Sequence, residues 1–358
     1  MRFLFRTSYG QDIALLRYPG QRLGYGLLGL AVLLAPLLLG DFYLGELSLV
    51  FIYAVAGIGL MLLVGYTGLV SLGHAAFLAI GAYAHAWLLS RGWPLPLSLL
   101  AAGALSAAAG ALVGRPTLRM TGIYLAIATL AFAAIVEQVI AHWESVTGGY
   151  RGMVVPAAVW LGFDFGAPVP FYFLCLAVLV ACTLAALNLL RGPTGRAMIG
   201  VRDSEISAQS MGIDLARTKT LAFALSAGFT GLAGGLFAHK LAYLAPDAFT
   251  LLLSLQLLLM VVVGGLGSMH GVIYGAIFLG LLPQGIAILR DTLPPAVAQI
   301  PGLEPGIFGL ILILFLLYEP QGIHGRWCKI QQYLDEFPLY RRATHERQKS
   351  YLRTHRQR

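Results

Sequence analysis

Histidine and serine side chains occur inside two glycine-rich stretches of otherwise apolar sequence, residues 65–85 and 264–275. Glycines interrupt helices there, and freed backbone groups are costly at membrane depth unless they line a cavity or are buried in protein. Paired interruptions in two halves of a chain are typical of a transport pathway. We predict a translocation path near both stretches, with packing against neighbouring helices as the alternative. The candidate residues are Ser71, Gly73, His74, Gly267, Ser268 and His270.

One further candidate for that path is the carboxylate of Glu137, near one end of a long apolar stretch. An ionisable side chain at membrane depth is a functional candidate by default. The alternative is that it reaches the interface or forms a hydrogen bond inside the helix bundle. A proton-coupled carrier usually needs more acidic groups than this, so a proton-driven pump is disfavoured.

The sequence carries none of the common signatures of catalysis or of nucleotide binding. It lacks the glycine-rich phosphate loop that ends in Gly-Lys-Ser/Thr, and it lacks the zinc-protease and nucleophile-elbow motifs. Its three cysteines and eight histidines show no metal-ligand spacing. We therefore predict no catalytic residues, no bound metal or cofactor, and no enzyme activity for this chain.

Composition indicates how these residues are positioned. Only 11% of the 358 residues are charged and 58% are hydrophobic, whereas soluble domains carry about 25% charged residues. Such a surface would aggregate in water, which excludes most soluble enzymes, disordered proteins and nucleic-acid-binding modules. A helix that spans a bilayer needs about 20 mostly apolar residues. The ten predicted spans are 23–40, 47–64, 69–90, 95–114, 121–141, 171–190, 218–240, 250–264, 271–289 and 305–318.

The distribution of lysine and arginine predicts the orientation. With ten spans and both termini in the cytoplasm, 20 of the 24 basic residues lie inside, as the positive-inside rule requires. The net charge of +8 therefore does not indicate nucleic acid as a partner. We predict a cytoplasmic segment at 1–22, a transmembrane domain at 23–320 with a cytoplasmic loop at 191–217, and a basic cytoplasmic tail at 321–358.

The loop at 191–217 contains the signals of an ordered segment. Residues 191–195, Arg-Gly-Pro-Thr-Gly, are typical of a turn cluster. Asp203 or Ser204 can cap a short helix that runs to Met211, and Gly212 can end that helix. The pattern predicts a short helix between two membrane spans.

Three separate sequence motifs resemble those of a known family, and they follow one another along the chain in the order typical of that family. Residues 72–77 read Leu-Gly-His-Ala-Ala-Phe, and residues 81–83 read Gly-Ala-Tyr. Residues 264–268 read Gly-Gly-Leu-Gly-Ser, with further glycines at 271 and 275, and a third motif lies in residues 195–212. The sequence is similar to the LivM-type permease subunits of branched-chain amino acid ABC importers over about residues 45–323.

The resemblance implies a fold and a set of partners. The fold is an all-α polytopic membrane protein of about ten transmembrane helices, in two pseudo-repeated halves, with a short cytoplasmic coupling helix. The implied partners are a LivH-like second permease, two cytoplasmic ATPases that bind ATP and magnesium, a periplasmic solute-binding protein and the lipid bilayer. The implied location is the bacterial inner membrane.

The resemblance also gives a role to the short helix, because an importer without its own ATPase must receive work through a protein interface. We expect Ile206 and Met211 to enter a groove on the ATPase, and Arg202 and Glu205 to form charged pairs at its rim. The candidate coupling residues are Arg202, Asp203, Glu205, Ile206, Ala208, Met211 and Gly212.

Two other functions remain open at this stage. Urea or amide permeases of the same superfamily share most of these motifs, so the substrate is not fixed. A stand-alone secondary transporter is the third possibility, although such a carrier does not need the helix near residues 203–212. The favoured reading is an ABC importer permease that carries branched-chain or related hydrophobic amino acids into the cytoplasm.

Overall fold

The structure is a computed structural model, and it describes residues 19–116, 120, 122–160, 162–292, 303–319 and 321–336. Most of the N-terminal segment predicted at 1–22 lies outside these residues, as does the part of the basic tail beyond residue 336. The helices are α1 Pro19–Leu38, α2 Asp41–Leu60, α3 His74–Ser90, α4 Leu95–Gly114, α5 Ile123–His142, α6 Glu144–Thr147, α7 Pro168–Arg191, α8 Pro193–Asp203, α9 Glu205–Ser210, α10 Leu215–Leu241, α11 Leu251–Gly264, α12 Met269–Thr292, α13 Leu303–Tyr318 and α14 Gly322–Glu336.

Short elements complete the described chain. A π-helical segment, Met61–Tyr66, continues α2, and 3-10 turns occupy Gly149–Arg151 and Pro246–Phe249. Strands β1 Met153–Val154 and β4 Tyr243–Leu244 pair antiparallel, as do β2 Val159–Trp160 and β3 Phe163–Asp164. These two small hairpin-like pairs lie at one end of the helix bundle, because they flank the start of α7 and the end of α10.

The helices confirm an all-α membrane protein. Seven segments in the described chain are long and apolar enough to cross a bilayer: Asp41–Tyr66, Leu95–Gly114, Ile123–His142, Pro168–Arg191, Leu215–Leu241, Pro246–Gly264 and Met269–Arg290. The other three predicted spans correspond to shorter helices. The apolar part of α1 is Leu23–Leu38, α3 has 17 residues and α13 has 16.

The core forms where α2, α3, α4 and α10 pack with almost no side chain between their backbones. A Cβ added at Gly81 of α3 would lie 2.2 Å from the carbonyl oxygen of Gly231 in α10. A Cβ at Gly110 of α4 would lie 2.6 Å from the carbonyl oxygen of Phe223. Small residues permit this approach, as expected for helices that associate inside a membrane.

One local prediction is correct only in part. The turn predicted at 191–195 is confined to Gly192, which joins α7 to α8, and α8 begins at Pro193, because proline suits the first turn of a helix, where its missing N–H is not needed. Asp203 is therefore the last residue of α8 and does not belong to the next helix. Ser204 is extended, and its Oγ accepts the Ser207 N–H at 3.2 Å, so α9 is capped as predicted but starts at Glu205.

Candidate functional site

The first helix break, residues 65–73, comprises the last two residues of the π-helical segment that continues α2 and the loop that precedes α3. Its freed backbone donors are satisfied by hydroxyl groups. Thr129 Oγ1 accepts the Leu72 N–H at 3.0 Å, and Ser254 Oγ accepts the Ala75 N–H at 2.9 Å. Because the hydroxyls come from α5 and α11, the break joins three helices, and most of it is buried in protein, with Gly68 and Val70 exposed.

His74 is fully buried at the start of α3 and spans two hydroxyl groups. Its Nδ1 lies 3.1 Å from Ser71 Oγ, and its Nε2 lies 2.8 Å from Ser226 Oγ of α10. Both ring nitrogens therefore have partners within the chain. Gly73 is packed equally tightly, since an added Cβ would lie 2.5 Å from the Thr129 carbonyl oxygen.

The second helix break, residues 265–268, separates α11 from α12. Gly265 and Gly267 have φ values of 116° and 80°, which favour glycine. Ser268 Oγ accepts the Gly271 N–H at 3.3 Å and so caps the start of α12. The break is a tight turn between two helices that touch through Gly264 and Gly271.

His270 points away from this turn toward α1 and α14. Its Nε2 lies 2.5 Å from the Tyr25 hydroxyl, and its ring stacks on His324 at 5.8 Å between centroids. These side chains and Trp327 line a cavity of about 370 Å³. The structure thus places His270 on a different surface from His74, and the two predicted histidines do not meet.

The two helix breaks nevertheless touch. A Cβ added at Gly65 would lie 2.8 Å from the Gly267 nitrogen. The Gly267 N–H donates to Met61 Sδ at 3.2 Å, so the π-helical segment of α2 contacts the second break directly.

Arg202, at the end of α8, lies against both breaks. Its Nη1 donates to the Gly65 carbonyl oxygen at 3.0 Å. Its Nε and Nη2 both donate to Asp203 Oδ1 at 3.0 Å. Its side chain fills the space beside Gly68, where an added Cβ would lie 3.1 Å from Arg202 Cγ, and its Nη1 would lie 3.4 Å from a Cβ at Gly267.

Helix α9 and Met211, the residue that follows it, expose two apolar side chains, and contacts on the opposite side hold the helix to the rest of the chain. Ile206 is 81% exposed and Met211 is 84% exposed, whereas Ala208 is 3% exposed. Glu205 forms an ion pair of 2.7 Å with Lys219 of α10, whose side chain is 2% exposed. The predicted role of Glu205 at a partner's rim therefore competes with a bond inside the chain.

Gly212 ends α9 as predicted. Its φ is 82°, and the Ile213 N–H donates to the Ala208 carbonyl oxygen at 3.0 Å, which completes a left-handed cap. Nothing lies within 4 Å of a Cβ added at Gly212, so backbone conformation alone selects glycine here.

Glu137 lies apart from these groups. It is half-buried in α5, and no hydrogen bond recorded in the described chain joins it to either break. The described residues contain no group of three or more His, Cys, Asp or Glu side chains that could hold a metal ion.

A polar cluster at the other end of the bundle was missed from the sequence. Lys240 Nζ donates to the Gly45 carbonyl oxygen at 2.8 Å, and His239 Nε2 lies 2.9 Å from His85 Nε2. A cavity of about 330 Å³ lies beside His239 and Lys240, and residues 155–158 and 165–166, which flank the β2–β3 pair, form one wall. The only signal in the sequence was polar residues close to the end of a span.

Comparisons with known proteins agree on one family. Residues 42–316 match the family model described as "Branched-chain amino acid transport system / permease component". The chain is 36% identical over 302 residues to the high-affinity branched-chain amino acid transport system permease protein LivM of Escherichia coli (strain K12), which covers 77% of this chain and 68% of that protein.

More distant relatives extend the comparison. The chain is 26% identical over 237 residues to the probable branched-chain amino acid transport permease protein LivM of Methanocaldococcus jannaschii, covering 64% of this chain and 68% of that protein. It is 28% identical over 213 residues to the autoinducer 2 import system permease protein LsrC of Enterobacter sp. (strain 638), covering 56% and 59% respectively. No solved structure gave a significant match.

Proposed function

The chain belongs to the family of branched-chain amino acid transport permease components, and from this premise we propose that it is the membrane-spanning subunit of an ABC importer. It carries branched-chain or related hydrophobic amino acids into the cytoplasm, and separate subunits hydrolyse the ATP. The observation that carries the proposal beyond the family is α9, a short helix between two spans with an exposed apolar pair and a buried anchor.

The proposed assembly contains this chain, a LivH-like second permease, two cytoplasmic ATPases with ATP and magnesium, and a periplasmic solute-binding protein. The location is the bacterial inner membrane, with ten spans in two pseudo-repeated halves and both termini in the cytoplasm. The distribution of lysine and arginine supports this orientation. It places α8, α9 and both helix breaks on or toward the cytoplasmic side.

We define residues 202–214 as the coupling segment. Ile206 and Met211 project from it as exposed apolar anchors of the kind that fill pockets at protein interfaces. Ala208 packs behind them, with its Cβ 4.0 Å from a Cβ added at Gly200 of α8. The segment therefore offers an apolar contact to an ATPase, and the ion pair between Glu205 and Lys219 holds it to α10.

The candidate path residues stay proposals. Ser71, Gly73 and His74 lie at the first break, and Gly267, Ser268 and His270 lie at or beside the second. Contacts inside the chain support packing for Ser71 and His74. Glu137 and His270 keep more freedom, because neither is fully buried.

The experiment compares Ile206→Glu and Met211→Glu with Val159→Glu, which alters an equally apolar side chain that is 61% exposed at the opposite end. The coupling variants should lose copurification with the ATPases and lose ATP-dependent uptake. The control should keep copurification. Normal ATPase binding in both Ile206→Glu and Met211→Glu would refute α9 as the docking element.

A further inference from the structure

We infer that Arg202 is a positioning residue that fastens the coupling segment to both helix breaks, so that the three move as one unit; this inference rests on the proposed importer function. Arg202 was expected at the rim of a partner interface. In the structure the Arg202 side chain is 37% exposed, and its Nη1 is bonded to the membrane domain at the Gly65 carbonyl oxygen.

The contacts of Arg202 reach both halves of the chain. Nη1 is bonded to the carbonyl oxygen of Gly65 at 3.0 Å, across a separation of 137 residues. The same nitrogen would lie 3.4 Å from a Cβ added at Gly267, which packs beside Gly65 and donates its N–H to Met61 Sδ. Glycine permits this close packing at three positions. A Cβ at Gly68 or Gly267 would approach the Arg202 side chain, and a Cβ at Gly65 would approach the second break.

Asp203 pairs with the opposite edge of the guanidinium at the exposed surface of the chain. It accepts from Nε and Nη2 at 3.0 Å each, which leaves Nη1 aimed at Gly65. Arginine suits this role because its planar fork donates to two acceptors at once, whereas a lysine ammonium is a flexible point charge. A lysine at this position keeps the positive charge but loses the simultaneous hydrogen bonds to Asp203 and Gly65.

A second anchor lies two residues beyond Asp203. The ion pair between Glu205 and buried Lys219 ties the start of α9 to α10. The coupling segment is thus held to α2 by Arg202 and to α10 by Glu205, on either side of the extended residue Ser204. A force applied to the exposed apolar pair on α9 therefore reaches the first break through Arg202 and the core helix α10 through Glu205.

The test compares Arg202→Ala and Arg202→Lys with Arg196→Ala in the complete reconstituted complex. Arg196 is the matched control, because it is an exposed arginine on the same helix that donates to the Arg191 carbonyl oxygen. Three quantities are measured: ATPase copurification, uptake per ATP hydrolysed, and hydrogen exchange of peptides covering residues 63–70 and 263–270.

We expect Arg202→Ala to keep the ATPases bound and to lower uptake per ATP by about tenfold, with Arg202→Lys lowering it about threefold. Amide exchange in both peptides should rise at least threefold in Arg202→Ala and stay unchanged in Arg196→Ala. Loss of ATPase binding in Arg202→Lys would instead place Arg202 at the partner interface and overturn the inference.

Normal uptake per ATP with Arg202→Ala would also overturn it, whatever the exchange shows. If Arg202→Ala fails to fold, Arg202→Lys and its exchange pattern decide. A wild-type complex without ATP-dependent uptake would refute the proposed function itself, which is a different result from a coupled wild type that tolerates Arg202→Ala.

Discussion

Side-chain hydroxyl groups accept hydrogen bonds from backbone N–H groups that the first helix break leaves without helical partners. Thr129 and Ser254 each accept a backbone N–H that a continuous helix would have satisfied internally. A buried donor without a partner costs about 1–3 kcal/mol, so these side chains are structural requirements of the break. The sequence identified the break and the cost of its backbone. It could not identify the acceptors, which lie 57 and 179 residues away.

The effect of a His74 substitution on protein stability distinguishes a structural role for His74 from a role in the translocation path. His74→Leu removes the partner of both Ser71 and Ser226 in a fully buried site, so the free energy of unfolding should fall by about 1–2 kcal/mol. His142→Leu is the control, because His142 is exposed, with its ring bonded to the Gln138 carbonyl oxygen of its own helix and edge-on to Tyr150. Thermal unfolding in detergent measures both. Unchanged stability with abolished uptake would favour the translocation path.

At the scale of elements, the bundle depends on places where helix backbones nearly touch. Gly81 in α3 and Gly231 in α10 form one of them, and Gly234 packs on the Leu78 carbonyl oxygen one turn further along. Periodic small residues in the sequence predict that helices approach closely. They do not predict which helices pair, because most of the predicted spans contain several glycines or alanines.

Substitution by alanine should therefore destabilise the protein at a glycine that touches a neighbouring helix, and not at a glycine with open space around it. Gly81→Ala places a Cβ within 2.2 Å of the Gly231 oxygen, so the backbones must move apart and stability should fall by about 1–3 kcal/mol. Gly285→Ala in α12 meets nothing within 4 Å and should be neutral or slightly stabilising. Melting temperatures of the two purified variants measure the difference. Equal melting temperatures would contradict the packing of α3 on α10.

The coupling segment shows what local sequence signals capture. A serine before an acidic residue and a glycine eight positions on predicted the ends of a short helix, and Ser204 and Gly212 cap α9 accordingly. Helix α8 was missed because its glycine and proline are also typical of a turn. The inward contacts of Arg202 and Glu205 carried no sequence signal, since charged residues in a cytoplasmic loop usually face solvent.

Gly212→Leu and Ala208→Glu test this segment by two different means. The first forces a branched side chain into a φ of 82°, and the second buries a carboxylate at a position that is 3% exposed. We expect both to uncouple ATP hydrolysis from uptake or to release the ATPases, while the membrane bundle stays folded. Gly92→Leu is the control for backbone strain alone, because Gly92 has a φ of 80° and nothing lies within 4 Å of a Cβ added there. Normal transport in both test variants would exclude the segment as the coupling element.

At the scale of the whole molecule, the sequence predicted an all-helical membrane protein, because composition and hydropathy constrain that class strongly. Seven of the expected spans are confirmed as long apolar helices in the described chain. Hydropathy could not show that the span predicted at 69–90 begins inside the bundle at His74, since a broken helix and a continuous one have the same apolar content.

Topology is tested by labelling single cysteines in intact cells, in a background that lacks Cys175, Cys182 and Cys328. With both termini in the cytoplasm, Tyr150→Cys should react with an impermeant maleimide, and Ser210→Cys should react only after permeabilisation. Both side chains are exposed, so burial does not bias the comparison. External labelling of Ser210→Cys would refute the predicted orientation.

The central claim is that this chain transports only as part of an ATP-driven importer. The most direct measurement is uptake of radiolabelled leucine into proteoliposomes that contain this chain with the second permease and both ATPases, with ATP inside and the solute-binding protein outside. We predict uptake that requires both ATP and the binding protein and that isoleucine and valine compete with, whereas urea does not. Uptake by this chain alone, independent of ATP and driven by an ion gradient, would contradict the account.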